Sequence, residues 1–459
     1  MTDVWAWAER NFATAQLGDR RRTRRLVESA ARIAAHPEKA FPQIFDWNDL
    51  RGFYRVCDRQ ETTLAAVMQP HWDQTRQAMA EQPLVLIVHD TTELDFTSHH
   101  ALTGIGPIGN ERGRGLLQHN SLAIVPRPRQ VLGLAYQQCR VRQPAPKGES
   151  TYQRKRRSRE SDLWTEGIRA AGRPPAGCCW VDVADRGSDD YEVMRAAQAV
   201  GHHFLIRANQ NRRVFVTTDH DRQEPLLDYA RTLPSQGRDV VEIPGRGGRP
   251  PRTATVSLAG AAVWVPAPTG TPERHEQPVL PAWVIRIWES APPPEVHEPL
   301  EWILIGSVPT TTLEDLRTRR DWYCDRWMVE TFHDIEKNGC QEEARRFATA
   351  ARLEACLAVL SVVAVRVFQL RCALETAPTA PAEQVATTAE ITVLSRHLGR
   401  TSGGLTVRAF VRGVAGLGGF LGRKHDGEPG VRALWRGYQR LQDMVLGYEL
   451  HHSSASGHT

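Results

Sequence analysis

The sequence has no cysteine arrangement of the kind that holds a structural zinc ion. Its eight cysteines contain no C-x-x-C pair and do not combine with histidines into a ladder of metal ligands. No secretory leader accompanies them, so we expect reduced thiols in a cytosolic protein. The residues concerned are Cys57, Cys139, Cys178, Cys179, Cys324, Cys340, Cys356 and Cys372.

The sequence also has no uninterrupted apolar run long enough to cross a membrane. The longest one, CLAVLSVVAVRVFQL, contains Arg366 and is flanked by Arg352, Glu354 and Arg371. Because a membrane span needs about 20 consecutive apolar residues, this run predicts a helix in a protein core. We therefore expect no membrane partner.

Neither sign of charge dominates the composition. The formal net charge is +5, with 41% hydrophobic and 24% charged residues, as in an ordinary soluble globular protein. The length of 459 residues predicts two to four structural units.

The positive charge is nevertheless concentrated in two blocks. RKRRSR places five cations at positions 154–159, and GDRRRTRR places five arginines close together. The latter are Arg20, Arg21, Arg22, Arg24 and Arg25. Such blocks are typical of proteins that bind a polyanion, most often nucleic acid, although a solvated helix surface has the same composition.

The first 75 residues predict several helices. DRRRTRRLVESAARIAAHP begins at Asp19, a residue suited to capping a helix N-terminus, and ends near Pro37. WNDLRGFYRVCDRQ and TLAAVMQPHWDQTRQAM continue the helical pattern. We therefore expect a helical DNA-binding domain at residues 1–75.

An alternation of strands and helices begins at Pro83. PLVLIVHDTTELDF predicts a strand whose apolar run ends at Asp90, and NSLAIVP and VLGLAYQQCRV predict a β-hairpin. Next come a helix, a buried strand leading to a turn with Asp185, another helix, and the strand HHFLIRA with Arg207 near its end. This order predicts an RNase H-like α/β core, a mixed sheet with flanking helices.

The remaining boundaries follow from changes in composition. We place the catalytic core at residues 76–372, interrupted at about 211–300 by a β-rich insertion with Pro- and Gly-rich joints. Residues 373–450 predict a helical C-terminal region, and residues 451–459 predict a disordered tail.

A helix predicted over DWYCDRWMVETFHDIEK, residues 321–337, separates polar from apolar side chains. At about 100° per residue, four polar side chains fall within an arc of about 60°. They are Tyr323, Arg326, Glu330 and Lys337. Met328, Phe332 and Ile335 fall on the opposite side, so the pattern is amphipathic. A solvated face with spaced ion pairs is the alternative interpretation.

Three carboxylates stand out from these patterns: Asp90, Asp185 and Glu330. In an RNase H-like core the first and fourth strands end side by side, and a later helix can supply a third ligand. Three carboxylate groups suit one or two Mg²⁺ ions and phosphoryl transfer. Other carboxylates compete with them in sequence, namely Glu93 and Asp95 beside Asp90, and Asp182, Asp189 and Asp190 beside Asp185.

The spacing of Tyr323, Arg326, Glu330 and Lys337 matches the Y-R-E-K motif of the insertion-sequence-four family of DDE transposases. HDTT around Asp90 resembles the first aspartate motif of that family, and VADRGSDDYE resembles the block around its second aspartate. RWMVETFHDIEKNGCQEEARRF is similar to the stretch that carries its glutamate. The resemblance extends over the whole chain.

The resemblance implies a cut-and-paste DNA transposase that nicks DNA, forms and opens a DNA hairpin on the transposon end, and transfers the strand. Asp90, Asp185 and Glu330 would bind Mg²⁺, for which Mn²⁺ can substitute. The expected partners are double-stranded DNA, as terminal inverted repeats and target, and a second copy of the chain in a homodimeric DNA complex. The expected location is the bacterial cytoplasm, at the nucleoid when DNA is bound.

The same resemblance assigns DNA contacts. Tyr323, Arg326 and Lys337 would hold phosphates near the cleaved end, with Arg207 as a further contact. Trp302, in EPLEWILIG, would receive a base flipped out of the transposon end, although a tryptophan within LEWILI also suits a strand core.

Two positions depart from the family pattern. Gly187 stands where the family usually has Glu, a change expected to affect the turn more than the metal ligand, and Asp334 stands where a lysine often occurs. Two other functions stay open from sequence: a non-catalytic DNA-binding relative that represses transposition, and a domesticated RNase H-like nuclease.

Overall fold

A computed structural model describes residues 4–37, 39–143, 146, 148, 150, 159–243, 252–269, 279–294, 296, 298–400, 404–424 and 426–455. Of the predicted basic block at 154–159, only Arg159 belongs to these residues. The chain divides into two compact units. Unit one comprises Met1–Glu81, Thr91–Lys155 and Glu330–Thr459, and unit two comprises Gln82–Asp90 and Arg156–Val329.

The helices of the described residues, in chain order, are α1 Val4–Phe12, α2 Arg20–Ala35, α3 Phe41–Ile44, α4 Trp47–Cys57, α5 Leu64–Ala80, α6 Asp162–Ala171, α7 Tyr191–Val200, α8 Leu226–Thr232, α9 Leu313–Cys324, α10 Trp327–Asp334, α11 Ala350–Thr376, α12 Thr388–His397, α13 Val407–Leu417 and α14 Val431–Ala455.

The strands are β1 Leu84–Asp95, β2 Gly106–Ile108, β3 Gly113–Pro126, β4 Arg129–Arg140, β5 Cys179–Ala184, β6 His203–Arg207, β7 Arg213–Phe215, β8 Gln223–Pro225, β9 Gly237–Ile243, β10 Arg252–Pro266, β11 Val279–Glu289 and β12 Glu301–Gly306.

The N-terminal helices form as predicted. The Asp19 carboxylate accepts a hydrogen bond from the backbone N–H of Arg21 at 2.8 Å, which satisfies one of the free donors at the start of α2. Leu26 and Ile33 of α2 are buried. The predicted cap and extent of this helix are confirmed.

The sheet of unit two is mixed. The first half of β1 pairs in parallel with β5, from Leu84 opposite Cys179 to His89 opposite Ala184, and β5 pairs in parallel with β6. The neighbouring strands β12, β11 and β10 continue the sheet in antiparallel order. Residues 85–88 of β1 are fully buried, as expected for a parallel strand covered on both faces.

The strands of unit one are antiparallel. β2 pairs with β3, and β3 pairs with β4 over a tight turn, which confirms the predicted β-hairpin. In sheet order β3 lies beside β1, whose second half belongs to this unit. The sequence predicted that this strand ends at Asp90. In the structure β1 instead continues to Asp95.

The predicted β-rich insertion contains β7 to β11 among its described residues, together with a short helix, α8. β10 pairs with β11 on one side and with β9 on the other. The insertion is thus built mainly around one long strand.

The apolar run of the sequence lies within α11. By length and composition this helix could cross a membrane, but 83% of its apolar window is buried inside the structure, as predicted for a core helix. A separate apolar cluster unites α12, α13 and α14 around Leu394, Phe410 and Leu441. α14 continues through Ala455, so the prediction of disorder is wrong for residues 451–455.

The predicted continuous helix over residues 321–337 is also wrong. α9 ends at Cys324, and the next N–H groups bond three residues back, as Arg326 does to the Tyr323 carbonyl oxygen at 3.1 Å. After α10 the chain widens into a π-helical turn, Ile335–Gly339, closed by the Cys340 N–H on the Ile335 carbonyl oxygen at 2.8 Å. A constant 100° per residue therefore does not apply across this stretch.

Candidate active site

Asp90 and Asp185 directly follow the last paired residues of the neighbouring strands β1 and β5 in unit two. The parallel pairing of β1 and β5 ends with His89 opposite Ala184, and the two aspartates are the next residues of their chains. Paired strands lie about 4.8 Å apart. Both side chains are half-buried. The strand register therefore places the backbones of these two residues next to each other, and the convergence of their carboxylates stays a prediction.

The Asp185 carboxylate is oriented by the turn that follows it. Its Oδ1 accepts a hydrogen bond from the Gly187 N–H at 2.8 Å, and a Cβ atom at Gly187 would lie only 3.1 Å from the same oxygen. A larger residue at position 187 would therefore crowd the Asp185 carboxylate, while the effect of this departure on the metal ligand stays a prediction.

The aspartates that compete with Asp185 in sequence have other roles. Asp189 is buried and accepts hydrogen bonds from the backbone N–H groups of Asn209 at 2.6 Å and Gln210 at 2.7 Å, beside an ion pair with Arg212. Asp190 caps α7. Both serve the local fold.

Asp182 lies between two histidines in the interior of unit two. Its oxygens are 2.9 Å from His89 Nε2 and 2.9 Å from His202 Nδ1. Burial opposes ionisation of Asp182, but the two histidines outweigh it and lower its pKa to about 2. Burial opposes the charge of His202 as well, yet the Asp182 carboxylate raises its pKa. The sequence analysis did not predict this network. The one indication in the sequence was a charged residue, Asp182, inside an otherwise apolar strand.

Tyr323 is buried rather than placed on an exposed polar stripe, which corrects the sequence prediction. It is 2% exposed, and the Trp302 ring meets it edge-on at 5.3 Å between centroids. Arg326 lies over the Tyr323 ring at 5.9 Å, and Arg207 hydrogen-bonds the Tyr323 side chain. These four predicted DNA contacts are thus brought together within unit two.

The Tyr323 hydroxyl also interacts electrostatically with one candidate catalytic residue, Asp185. Burial raises the pKa of Tyr323, the arginines Arg326 and Arg207 oppose this rise, and the negative charge of Asp185 adds to it. The aromatic and cationic cluster is therefore within electrostatic range of Asp185.

Glu330 and Lys337 belong to unit one. Glu330 is half-buried in the first turn of α10, where a helix N-terminus stabilises a negative charge. The Lys337 ammonium donates to the Glu93 carbonyl oxygen at 2.5 Å and lies 3.7 Å from the Glu343 carboxylate. Lys337 thus contacts the backbone of β1 three residues beyond Asp90.

The donor chemistry of these carboxylates fits Mg²⁺, which prefers oxygen ligands. Among the described residues, no group of three or more His, Cys, Asp and Glu side chains is arranged closely enough to hold a metal ion. The set of Asp90, Asp185 and Glu330 stays a prediction.

The N-terminal arginines differ in their surroundings. Arg22 donates to the Leu17 carbonyl oxygen at 2.9 Å and pairs with Glu61 at 3.1 Å, and Arg25 is tied to Asp49 and Glu28. Arg20, Arg21 and Arg24 are exposed, with Arg24 also pairing with Glu28. Part of the block therefore supports the internal structure of the domain, and part of it forms an exposed cationic surface.

Two segments of the chain match known protein families. Residues 5–62, which include α2 and α4, match the family described as Transposase DNA-binding. Residues 362–457, which begin within α11 and include α12, α13 and α14, match the family described as Transposase Tn5 dimerisation domain. The domains at the two ends are those of a DNA-binding transposase.

Both matches, at the N-terminal and C-terminal regions of the chain, indicate a Tn5-like transposase of the insertion-sequence-four family. Its DNA-binding and dimerisation domains support binding to DNA and assembly into a dimer, and the family implies DNA cleavage and transfer. Transposases of this family are generally metal-dependent.

Proposed function

We propose that this transposase moves DNA by a cut-and-paste route and that Asp90, Asp185 and Glu330 are its catalytic carboxylates. The observation that carries the proposal is the register of β1 and β5, which ends one residue before Asp90 and Asp185. We further propose that it acts at the nucleoid of a bacterial cytoplasm.

The proposed catalytic core is RNase H-like. In support, the strand order β4-β3-β1-β5-β6 combines an antiparallel hairpin with a parallel set, and α6 and α7 flank β5 in the chain. In this arrangement the C-terminal end of the central parallel pair is where carboxylates converge. The two half-buried aspartates at that point suit the proposal.

A Mg²⁺ ion, or Mn²⁺ in its place, would be held by the three carboxylates and would supply activation of the attacking oxygen and stabilisation of the leaving one. The protein's own part is positional. The Gly187 N–H fixes one rotamer of Asp185, and the buried Asp182 holds His89, the residue preceding Asp90. Both aspartates would thus be held in place before DNA binds.

The cations of the proposed site would bind the DNA backbone. Arg207 hydrogen-bonds the Tyr323 side chain and Arg326 lies over its ring, so a phosphate beside Tyr323 would meet two guanidinium groups. Lys337 would add a point charge beside β1. These contacts would orient a DNA end for nicking, hairpin formation, hairpin opening and strand transfer.

The proposal is tested with a duplex that carries the inverted repeat flanking the gene. The purified protein should nick this duplex in Mg²⁺, convert the nicked end into a DNA hairpin, and join it to a target plasmid. EDTA should stop every step while leaving gel-shift binding in place. Binding without any cleavage in Mg²⁺ or Mn²⁺ would instead identify a DNA-binding repressor.

A further inference from the structure

A buried polar network lies beneath the π-helical turn of unit one. Glu336, within this turn, is 0% exposed and lies between the buried Ile335 and the half-buried Lys337. Its two carboxyl oxygens receive hydrogen bonds from side-chain amides of both strands of the β3–β4 hairpin. Glu336 is not among the residues that have a role in the proposed function.

The amide contacts define the position of this carboxyl group. Gln118 Nε2 donates to Glu336 Oε1 at 2.8 Å, and Asn120 Nδ2 donates to Glu336 Oε2 at 3.0 Å. Gln137 Nε2 reaches Oε1 at 3.3 Å and also binds Ser361 Oγ of α11 at 2.7 Å. Because all of these groups are 0% exposed, breaking a contact leaves a buried donor unsatisfied.

The strand register explains why the donors converge. Gln118 and Asn120 are two residues apart, so they point to the same face of β3. Asn120 lies directly opposite Gln137 in the antiparallel pairing, and Gln137 Nε2 also donates to Asn120 Oδ1 at 2.8 Å. The hairpin therefore presents a preformed set of amides to a single carboxyl group.

The turn held in this way also carries Lys337. Its ammonium reaches the Glu93 carbonyl oxygen of β1 at 2.5 Å, and Glu343, 3.7 Å away, in turn accepts from the Asp95 N–H at 2.9 Å. An isolated π-helical turn inside an α-helix is uncommon and is often found at functional sites. Here the turn directs two consecutive side chains to different parts of the sheet. Glu336 contacts the β3–β4 hairpin, and Lys337 contacts β1.

We propose that Glu336 is a positioning residue for Lys337: the amide-held carboxyl group fixes the π-helical turn, and the turn aims the Lys337 ammonium at the strand segment that follows Asp90. This rests on the proposed function, in which Lys337 binds a DNA phosphate. A displacement of about 1 Å in such a contact can reduce a catalytic rate by about a hundredfold.

A second buried carboxyl group provides a matched control. Glu342 is 0% exposed and contacts the same Ser361 hydroxyl at 3.5 Å, but it lies after the π-helical turn and is not adjacent to Lys337. A network that only supports the fold would respond alike to Glu336→Gln and Glu342→Gln. Positioning of Lys337 requires a response specific to Glu336.

The experiment is a double-mutant cycle on single-turnover cleavage of the inverted-repeat duplex at saturating DNA. Above about pH 8, where Glu336 is ionised, Glu336→Gln should slow cleavage by about tenfold or more, because one amide donor then meets an NH₂ group instead of an oxygen. In the Lys337→Ala background the same change should alter the rate by less than about twofold. Glu342→Gln should keep nearly the wild-type rate in both backgrounds.

The swap variant Glu336→Gln with Gln118→Glu restores a carboxyl–amide pair and guards against a simple folding defect. We expect it to recover most of the cleavage lost in Glu336→Gln. An equal loss from Glu336→Gln with and without Lys337, or equal losses from the Glu336 and Glu342 variants, would overturn the positioning role. If Lys337→Ala cleaves like the wild type, the proposed role of Lys337 fails and the positioning role fails with it.

Discussion

Asp90 and Asp185 each follow directly the last register pair of two parallel strands, His89 opposite Ala184. This relationship is set by the backbone pairing of β1 and β5 and not by a contact between the two side chains. It persists only while the strand ends are held in register, and the buried Asp182, which contacts His89 and His202, lies on the strand that Asp185 directly follows. The stability of the interior and the geometry of the proposed site are therefore linked.

Replacing Asp182 should destabilise the protein more than replacing a neighbouring surface aspartate. Asp182→Asn leaves two buried histidines without their common anion, which should cost on the order of 3 kcal/mol of unfolding free energy. Asp190→Asn, which alters the cap of α7 and an ion pair with Arg159 at 3.9 Å, should cost about 1 kcal/mol or less. Urea unfolding of the two variants checks this, and equal losses would contradict the anchoring role of Asp182.

The same network predicts a loss of stability in acid. The pKa of Asp182 is about 2 in the folded protein against 3.8 as its ordinary value, so its contribution is complete above the latter and disappears as the pH falls from about 4 to about 2. The stability of Asp182→Asn should depend less on pH in this window. Thermal melting across the window, with the Asp190→Asn variant as control, measures the difference.

Glu336 predicts the opposite pH dependence. Burial raises its pKa from 4.5 to about 8, so the folded state holds a proton that the unfolded state has released between these values. Stability should therefore fall as the pH rises from about 5 to about 8. Glu336→Gln should show a flatter profile than the wild type, whereas an identical slope in both proteins would show that Glu336 does not titrate in this window.

The arginines of α2 should fall into two functional groups. Arg21 is exposed, so Arg21→Gln should flatten the dependence of DNA affinity on salt by about one unit of slope. Arg22 is bound to the Leu17 carbonyl oxygen and to Glu61, so Arg22→Gln should leave the slope nearly unchanged and lower the melting temperature. Equal changes of slope would show that the contacts of Arg22 yield to DNA.

The role of Trp302 has to be tested with a substitution that suits a buried side chain. The side chain is only 9% exposed, so Trp302→Ala should lose about 3 kcal/mol of stability or more and confound any effect on DNA. Trp302→Phe keeps an aromatic ring against Tyr323. We expect this variant to fold and nick DNA almost normally but to form the DNA hairpin more slowly. A parallel loss of nicking and hairpin formation would assign Trp302 to the core alone.

The order of strands and helices was predictable because each segment carries its own periodicity, as in the capped helix α2 and the apolar strand β5. The path of residues 321–337 was not. The change from α9 to α10 and the π-helical turn depend on contacts with distant segments, among them the amides of Gln118 and Asn120 that bind Glu336. No local pattern records those contacts.

The candidate site shows the same division. Sequence singled out Asp90 and Asp185, and the resemblance to a family singled out Tyr323 and Arg326. The burial of Tyr323 could not be predicted, because it arises from packing against Trp302 across 21 residues of chain. Sequence order alone also could not separate Asp185 from Asp182, which only the pairing with His89 and His202 does.

Cleavage of the inverted-repeat duplex in Mg²⁺ by Asp90→Asn, Asp185→Asn and Glu330→Gln tests the catalytic assignment most directly. These changes keep side-chain size and remove only the negative charge, so each variant should retain gel-shift binding and lose nicking by at least about a thousandfold. Asp190→Asn serves as the control and should cleave like the wild type. Full cleavage by any of the three variants, with binding intact, would contradict the assignment of that carboxylate.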